Sequence, residues 1–117
     1  MIGLDSFSRV FLHRDPVDMR KSINGLSLLI LDDLGMKFER GSLFVFLSRC
    51  GKKMKMLYWD DTGFALWYKR LETAKYCWPR DHDGRIVDAD SDQLSRLLLG
   101  YDVFQKPHEF LEYEHVF

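Results

Sequence analysis

At 117 residues, with 46% hydrophobic and 30% charged residues, the chain has the length and composition of one globular domain. No apolar run approaches the roughly 18 residues that a membrane-spanning helix requires, which excludes a transmembrane segment. Two cysteines without a CxxC spacing, together with a start that lacks the apolar core of a signal peptide, predict a cytoplasmic protein in a reducing compartment.

The net charge of −1 hides an uneven distribution of ionic residues along the chain. Residues 1–80 carry 14 Lys and Arg against 9 Asp and Glu, whereas residues 81–117 carry 3 against 9. This asymmetry predicts an anion-binding body with an acidic end, although charges that only solvate the surface would also explain it. We expect one α+β domain over residues 1–102 and a C-terminal tail, residues 103–117, that is either an irregular packed arm or partly disordered.

The first third of the chain predicts a strand followed by a long helix. Residues 7–13 carry apolar side chains typical of a strand. Asp15 and Pro16 are typical of a helix start, because an Asp side chain caps free amides and Pro suits the first turn. A helix over residues 16–34 is expected to end at Gly35. Its buried face carries apolar side chains three or four positions apart: Met19, Ile23, Leu26, Ile30 and Leu34.

The middle of the chain predicts three strands joined by two tight turns. Residues 42–48 have apolar side chains on both faces, as in a central strand, and a turn at residues 50–52 leads to a strand over residues 54–59. The sequence Asp-Asp-Thr-Gly at residues 60–63 is a strong hairpin signal, in which we expect the Gly to accept a positive φ. The third strand is expected over residues 64–71.

The remaining elements are short. Residues 76–78 would add a fourth strand to this group, and residues 85–88 would form a further strand. A last helix is expected over residues 92–99. The fold class is therefore α+β: an antiparallel β-meander packed against one long helix, with a short C-terminal helix.

The last helix has start and stop signals in the sequence. Asp90 or Ser91 is expected to cap its first amides. Gln93 is placed to complete a capping box from Asp90, and Gly100 is expected to end the helix.

Basic residues gather in three short stretches that we predict to contact phosphate. Four cations lie in the first turn of the meander with no acid between them, and such a cluster suits a polyanionic backbone. Two more lie where the long helix is expected to begin, and a helix N-terminus itself attracts anions. The predicted nucleic-acid-binding residues are Arg20, Lys21, Arg49, Lys52, Lys53, Lys55, Lys69 and Arg70. The alternatives are a solvated turn and local neutralisation of the helix cations by Asp15 and Asp18.

Aromatic side chains on the predicted sheet offer a second kind of contact. Phe44, Phe46, Trp59 and Trp67, displayed beside a basic hairpin, would stack against flat nucleobases. The alternative is that they form the core, because strands favour aromatic residues for packing. We expect one face of the sheet to be core and the other to be partly exposed.

No pattern in the sequence predicts catalysis. Asp60 and Asp61 would serve a two-metal nuclease only if further carboxylates came close, and adjacent carboxylates before a Gly are usual turn residues. The four histidines have no metal-ligand spacing, Cys50 lacks the His and Asn partners of a nucleophile, and no Gly-rich phosphate loop occurs. We therefore predict a protein that is not an enzyme, with no catalytic residue, no metal site and no cofactor.

Four segments together resemble a known family. Residues 17–26 read VDMRKSINGL, residues 41–46 read GSLFVF, residues 55–64 read KMLYWDDTGF, and residues 68–79 contain YKRLE followed by WP. In order and spacing these motifs are similar to those of the small TnpB-type (Orf2-like) accessory proteins of the bacterial insertion-sequence family numbered sixty-six. The resemblance extends over about residues 9–101.

This resemblance implies a part in DNA transposition, beside a transposase and a second small accessory protein, and it implies no catalytic site. Two hypotheses follow. The chain is an accessory factor that binds transposon ends or target DNA with low sequence specificity, through the basic hairpin and the helix N-terminus. Alternatively, it is a protein adaptor that docks the transposase or the other accessory protein. A basic patch beside exposed aromatics would favour the first, and a flat apolar patch without lysines the second.

Overall fold

The computed structural model describes residues 3–104, which form a five-stranded sheet with a helix on each face. The strands are β1 (Arg9–His13), β2 (Ser42–Leu47), β3 (Lys53–Asp60), β4 (Gly63–Arg70) and β5 (Ile86–Ala89). The helices are α1 (Ile23–Leu28), which continues as a π-helical segment over Leu29–Asp33, and α2 (Ser91–Leu98). The α+β class is thereby confirmed. No helix within the described part of the chain has the length and apolarity to cross a bilayer.

The strands lie in the order β4-β3-β2-β1-β5. β2, β3 and β4 pair antiparallel, which confirms the predicted meander. β1 pairs parallel with β2 and antiparallel with β5, an arrangement that the sequence did not predict. Parallel neighbours need a crossover connection, and the segment that carries α1 supplies it. β2 is the middle strand and every one of its residues is buried, as expected for a central strand.

Two apolar cores hold the helices to the sheet. On one face, Leu26 and Ile30 are fully buried against Phe44 and other side chains of the inner strands, which confirms the predicted helix face at these positions. On the opposite face, Leu94 and Leu97 of α2 pack against the second core. Fully burying a side chain of this size contributes roughly 1.5–3 kcal/mol, so both helices are anchored mainly by their apolar stripes.

The long helix predicted to begin at residue 16 is wrong in its first part. α1 begins at Ile23, and its helical segment ends at Asp33. The predicted cap is also absent, because the Asp15 carboxylate accepts a hydrogen bond from the Arg14 guanidinium at 3.0 Å. The Asp15 side chain is therefore engaged one residue away rather than at a helix N-terminus.

A loop replaces the predicted first turns, and two long-range contacts hold it. The Val17 amide donates to the carbonyl of Leu47, at the end of β2, over 2.9 Å. The Lys55 ammonium on β3 donates to the carbonyls of Met19 and Lys21 over 2.7 and 2.8 Å. In a helix those two carbonyls would accept amides four residues further on. Because the partner of these loop carbonyls lies on β3, far along the chain, no local sequence pattern predicts that the helix starts late.

Gly35 ends the helical segment, as predicted. Its φ is +62°, in the left-handed region that glycine adopts without strain. The Met36 amide then donates to the carbonyl of Ile30 over 3.0 Å, a bond that closes the helix C-terminus.

The two hairpin turns lie where the sequence placed them. Gly51 has φ +78° in the first turn. In the second turn the positive φ falls on Asp61, at +48°, whereas Gly63 already begins β4. The expectation for Gly63 was therefore wrong, and Asp61 shows why: Asp is among the residues that tolerate the left-handed region in turns.

The C-terminal elements include one wrong and two confirmed predictions. Residues 76–78 form no strand; instead, the Tyr76 amide donates to the Gly51 carbonyl over 2.9 Å and the Tyr76 ring is buried. The short strand is confirmed as β5. The capping box of α2 is also confirmed, since Asp90 is the cap and both reciprocal bonds with Gln93 are formed.

Candidate nucleic-acid interface

A groove of about 800 Å³ opens on the face of the sheet that carries α1. One wall is the loop of residues 17–20, and another is the turn of residues 48–50. Side chains of β3 and β4 form the floor: Lys53, Lys55, Leu66 and Tyr68. We call this site the basic groove. It brings together parts of the chain that lie up to 51 residues apart in the sequence, between Val17 and Tyr68.

Strand geometry decides which basic side chains of the hairpin share this face. Side chains alternate between the two faces of a sheet, so Lys53 and Lys55 point to the same side. The register places Lys53 directly opposite Arg70, which therefore also faces the groove side. Lys69 lies opposite Met54, a residue of the other core, and belongs to the other face. The predicted neighbours Lys69 and Arg70 are thus divided between the two faces.

The basic groove carries a formal net charge of +3, because one carboxylate, Asp18, accompanies four cations. The predicted cations that line it are Arg20, Arg49, Lys53 and Lys55. Lys21 and Lys52 adjoin the groove in sequence but do not line it. Lys53 and Arg70 lie directly opposite each other on neighbouring strands, an arrangement of like charges that is destabilising. The Glu72 carboxylate offsets part of this repulsion by pairing with Arg70 at 3.0 Å, in an exposed position.

Arg20 is neutralised within the loop. Its guanidinium donates to Asp18 from two nitrogens, with the shortest distance 2.6 Å, and its amide donates to the same carboxylate over 2.9 Å. These bonds lower the pKa of Asp18 from 3.8 to about 2. One of the alternatives, local neutralisation by Asp18, is confirmed for Arg20. The predicted anion site at a helix N-terminus is wrong for Arg20 and Lys21, since both precede the first residue of α1.

Lys55 is engaged rather than free in solvent. Its ammonium donates to two loop carbonyls, as described above, and lies 5.8 Å from the centroid of the Tyr68 ring. Because both carbonyls accept hydrogen bonds from the ammonium group, Lys55 holds the loop in position. Its charge still contributes to the field of the groove, because neutral carbonyls do not cancel it.

The aromatic residues predicted to stack are mostly unavailable. Phe44 and Phe46 are buried in the core, which overturns the expectation that the sheet displays them. Trp67 lies partly buried on the opposite face from the groove. Trp59 is 39% exposed but packs edge-on against Phe64, at a centroid distance of 5.1 Å. The core alternative is therefore confirmed for the two phenylalanines.

Tyr68 is the aromatic side chain that the basic groove presents. It is 48% exposed and stands on β4 opposite Lys55. The sequence contained a usable signal for it, because the alternation of β4 places residues 66, 68 and 70 on one face. An exposed ring beside cations is a suitable surface for stacking a base.

Cys50 lines the basic groove, and the pKa of its thiol is lowered by its surroundings. Its Sγ is 3.2 Å from the Ser48 hydroxyl, and the hydrogen bond between these two groups is the main reason why the pKa of the Cys50 thiol is lowered. The Lys52 amide and the charge of Lys53 act in the same direction. The result is an exposed thiol that ionises more easily than a free cysteine.

Within residues 3–104, the other residues considered as metal ligands or catalytic groups are not gathered into one site. No group of three or more His, Cys, Asp or Glu side chains there is arranged to hold a metal ion. Asp61 pairs with Arg40 at 3.5 Å in the exposed hairpin turn. His13 is buried, with its Nδ1 2.7 Å from the Asp15 carbonyl oxygen. His108 and His115 lie outside the described residues.

Comparisons with known proteins cover most of the chain. A family model described as IS66 Orf2 like protein matches residues 8–108. The uncharacterized protein y4jC of Sinorhizobium fredii (strain NBRC 101917 / NGR234) is 32% identical over 102 residues, which cover 87% of this chain and 86% of that protein. The uncharacterized protein y4hO of the same organism is 35% identical over 101 residues, 86% of each chain. No solved structure matches the chain.

Proposed function

Because this chain belongs to the IS66 Orf2-like family, we propose that it is a non-catalytic accessory factor in transposition that binds the DNA backbone in its basic groove. Family membership by itself indicates an accessory role in the movement of an insertion sequence. The observation that carries the finer proposal is the convergence of four predicted cations on one groove with a single carboxylate. Such a surface suits a polyanion without requiring a specific sequence.

The residues of the groove divide into two roles. Arg49 and Lys53 are the cations proposed to contact phosphate, and Arg70 supports them from the neighbouring strand. Lys55 holds the loop, and Asp18 holds Arg20. Since the Arg20 side chain is 92% exposed, a phosphate would compete with Asp18 for it with little change in the loop. Lys69 is proposed to contribute only to the general field, because it faces away from the groove.

The proposal is tested by the salt dependence of DNA binding. Duplex DNA of arbitrary sequence should bind with a dissociation constant of roughly 1–100 μM at physiological salt, and binding should weaken steeply as salt rises. In the Arg49→Ala/Lys53→Ala variant, affinity should fall for all sequences alike, and the log–log salt slope should shrink by about two units. Fluorescence anisotropy at several salt concentrations measures both quantities.

A charge-matched variant separates the groove from overall charge. Lys37→Ala/Lys69→Ala removes two exposed cations that do not line the basic groove. It should change the slope by much less than the groove variant does. Equal losses in the two variants would mean that only net charge matters, and the groove proposal would then be wrong.

The native cysteines give a second readout that does not depend on affinity. Cys50 lines the basic groove, whereas Cys77 lies near the end of α2, with its Sγ 3.7 Å from the Gly100 carbonyl oxygen. Bound DNA should slow alkylation of Cys50 by iodoacetamide and leave the rate at Cys77 unchanged. Peptide mass spectrometry after timed quenching measures the two rates separately. Equal protection of both thiols, or of neither while DNA is bound, would place the DNA elsewhere.

The adaptor function is the second candidate, and exposed apolar side chains at the end of α2 favour it. Leu99 and Tyr101 are 78% and 62% exposed. Single exposed apolar residues are common, but two large ones separated only by Gly100 would offer a contact to a protein partner such as the transposase. Loss of transposase capture in the Leu99→Glu/Tyr101→Glu variant, with no DNA binding by the parent protein at low salt, would make this the primary function.

A further inference from the structure

β4 is a long and largely apolar edge strand of the sheet in the described part of the chain. It has eight residues, and β3 is its one strand neighbour among residues 3–104. Its pairing with β3 runs without a bulge from Gly63 to Arg70, and it contains no proline. Residues 64–68 are Phe, Ala, Leu, Trp and Tyr in succession. Edge strands with these properties are templates for pairing with another strand unless something covers them.

One hydrogen bond shows which backbone groups of β4 face away from β3. The Leu71 amide donates to the Lys52 carbonyl over 2.7 Å, which extends the β3–β4 register by one pair. Backbone groups in an antiparallel strand alternate between its two neighbours. Residues with odd numbers therefore bond to β3, and the amide and carbonyl groups of four residues face away from it: Phe64, Leu66, Tyr68 and Arg70.

We propose that β4 pairs antiparallel with β4 of a second copy, about a two-fold axis that passes between the two Trp67 residues. Directly opposite residues in an antiparallel pair have side chains on the same face of the sheet. An odd-numbered residue must therefore face an odd-numbered one, and an even-numbered residue an even-numbered one. In each register that meets this condition, one residue of β4 lies opposite its own counterpart in the other copy. In the register centred on Trp67, Leu66 faces Tyr68 and Phe64 faces Arg70. It is the register in which all four outward-facing residues of one copy meet outward-facing residues of the other.

The side chains of β4 are self-complementary in this register. On the groove side, Arg70 of one copy lies beside the Phe64 ring of the other, an arrangement that suits a cation–π contact. On the opposite side the two Trp67 rings are neighbours, and Ala65 faces Lys69. No two like charges on β4 are opposed, whereas a parallel arrangement would set Arg70 beside Arg70.

The fit lies along β4 itself, where each outward-facing residue of one copy meets an outward-facing residue of the other. Charges at the hairpin ends add nothing to it, because the turn at residues 61–62 comes opposite residues 72–73 of the other copy. A second copy is therefore the occupant that fits this edge.

Such pairing places the two basic grooves on one surface. The two-fold axis is perpendicular to the sheet, so the face that carries α1 is the same in both copies. Leu66 and Tyr68 line the groove and lie at the dimer contact, so the second copy forms part of its border. Two five-stranded sheets become one sheet of ten strands.

Engineered cysteines test the register in the full chain with Cys50→Ser and Cys77→Ser. Residue 65 faces residue 69 of the other copy in a non-hydrogen-bonded pair, where Cα atoms are about 4.5 Å apart and a disulfide fits. A mixture of the Ala65→Cys and Lys69→Cys proteins should form a disulfide-linked dimer under mild oxidation. Neither protein should form the disulfide by itself, because in a dimer of identical chains the two engineered cysteines lie about 13 Å apart along the strands.

Loss of the dimer provides the second test. Leu66→Pro removes an outward-facing amide, which an edge strand tolerates, and Leu66→Val keeps it. Sedimentation at micromolar concentration should show a dimer for the parent and Leu66→Val, and a folded monomer for Leu66→Pro. A monomeric parent whose mixed cysteine proteins fail to cross-link overturns the proposal. So does cross-linking of either cysteine protein with itself, a folded dimeric Leu66→Pro, or a parent that dimerises only when residues 105–117 are removed.

Discussion

Lys55 ties together two parts of the chain that lie 36 residues apart, by donating to the Met19 carbonyl. Its second bond, to the Lys21 carbonyl, fixes the other side of the same turn. A lysine in a basic hairpin is ordinarily a solvated cation, and here it binds the loop that precedes α1. One residue thus links the wall of the basic groove to its floor.

Replacement of Lys55 by Met should destabilise the fold. The apolar stem is retained, but two hydrogen bonds from a charged donor are lost, and bonds of this kind contribute about 1.5–3 kcal/mol each when well shielded. Since one of them is exposed, we expect a loss of about 1–3 kcal/mol in the free energy of unfolding by urea. Lys53→Met is the control on the same strand and face, and should cost much less. Equal losses would show that the loop bonds carry no stability.

The pH dependence of Asp18 is a second property of a single residue. Its pKa is lowered by Arg20 from 3.8 to about 2. A lowered carboxyl pKa stabilises the fold at pH values above 3.8, and this contribution is lost as the pH falls through about 2. Carbon-detected NMR should therefore find Asp18 titrating near 2, and nearer 3.8 in Arg20→Ala. Titration near 3.8 in the parent would contradict the ion pair.

At the scale of the element, α2 is held by both a cap and an apolar stripe. The Gln93 amide donates to the Asp90 carboxylate over 2.7 Å, and the Asp90 amide donates to the Gln93 side chain over 3.0 Å. Leu94 and Leu97 are buried beneath the helix. The cap satisfies amides that a short helix would otherwise leave to water.

Loss of this cap should have a measurable cost. Asp90→Ala should lower the free energy of unfolding by about 1 kcal/mol, because the Gln93 amide loses its acceptor. Asp92→Ala is the matched control in the same turn: it removes a favourable charge near the helix dipole and should cost roughly 0.3–1 kcal/mol, screened by salt. Urea denaturation at two salt concentrations separates the two effects. A loss in Asp90→Ala that salt abolishes would indicate charge rather than capping.

Elements whose causes are local could be predicted from the sequence. The capping box, Gly35, Gly51 and the strand β3 all depend on neighbouring residues. The start of α1 could not be predicted, because the loop before it is held by bonds from the distant Lys55 to the Met19 and Lys21 carbonyls. Local propensity is a weak guide wherever a distant side chain competes for backbone groups.

The same distinction applies to the candidate site. The sequence identified the cations of the basic groove, because like charges without intervening acids are visible in one segment. Their sorting between two faces required the β3–β4 register, which places Lys69 away from Lys53. The acidic contribution of Asp18 and the thiol environment of Cys50 depend on a loop and a turn brought together by the fold.

At the scale of the whole molecule, the order β4-β3-β2-β1-β5 combines a local half and a nonlocal half. β2, β3 and β4 are joined by tight turns, whereas β1 pairs with β2 across the whole crossover, from Arg9 to Ser42. β1 also pairs with β5, with Val10 opposite Ala89. The N-terminal strand is therefore an inner strand whose two neighbours come later in the chain.

This position of β1 has a consequence for how the chain acquires its fold during synthesis. β1 leaves the ribosome first, but its first partner follows about 30 residues later and its second almost at the end of the sheet. Closing such long loops is entropically costly and slow compared with forming adjacent hairpins. The meander can form as a nucleus before β1 joins it, and β5 then covers the exposed edge of β1. Until residues 86–89 have been made, the nascent chain exposes a strand as apolar as Val-Phe-Leu, which is the stage at which it most needs protection from aggregation.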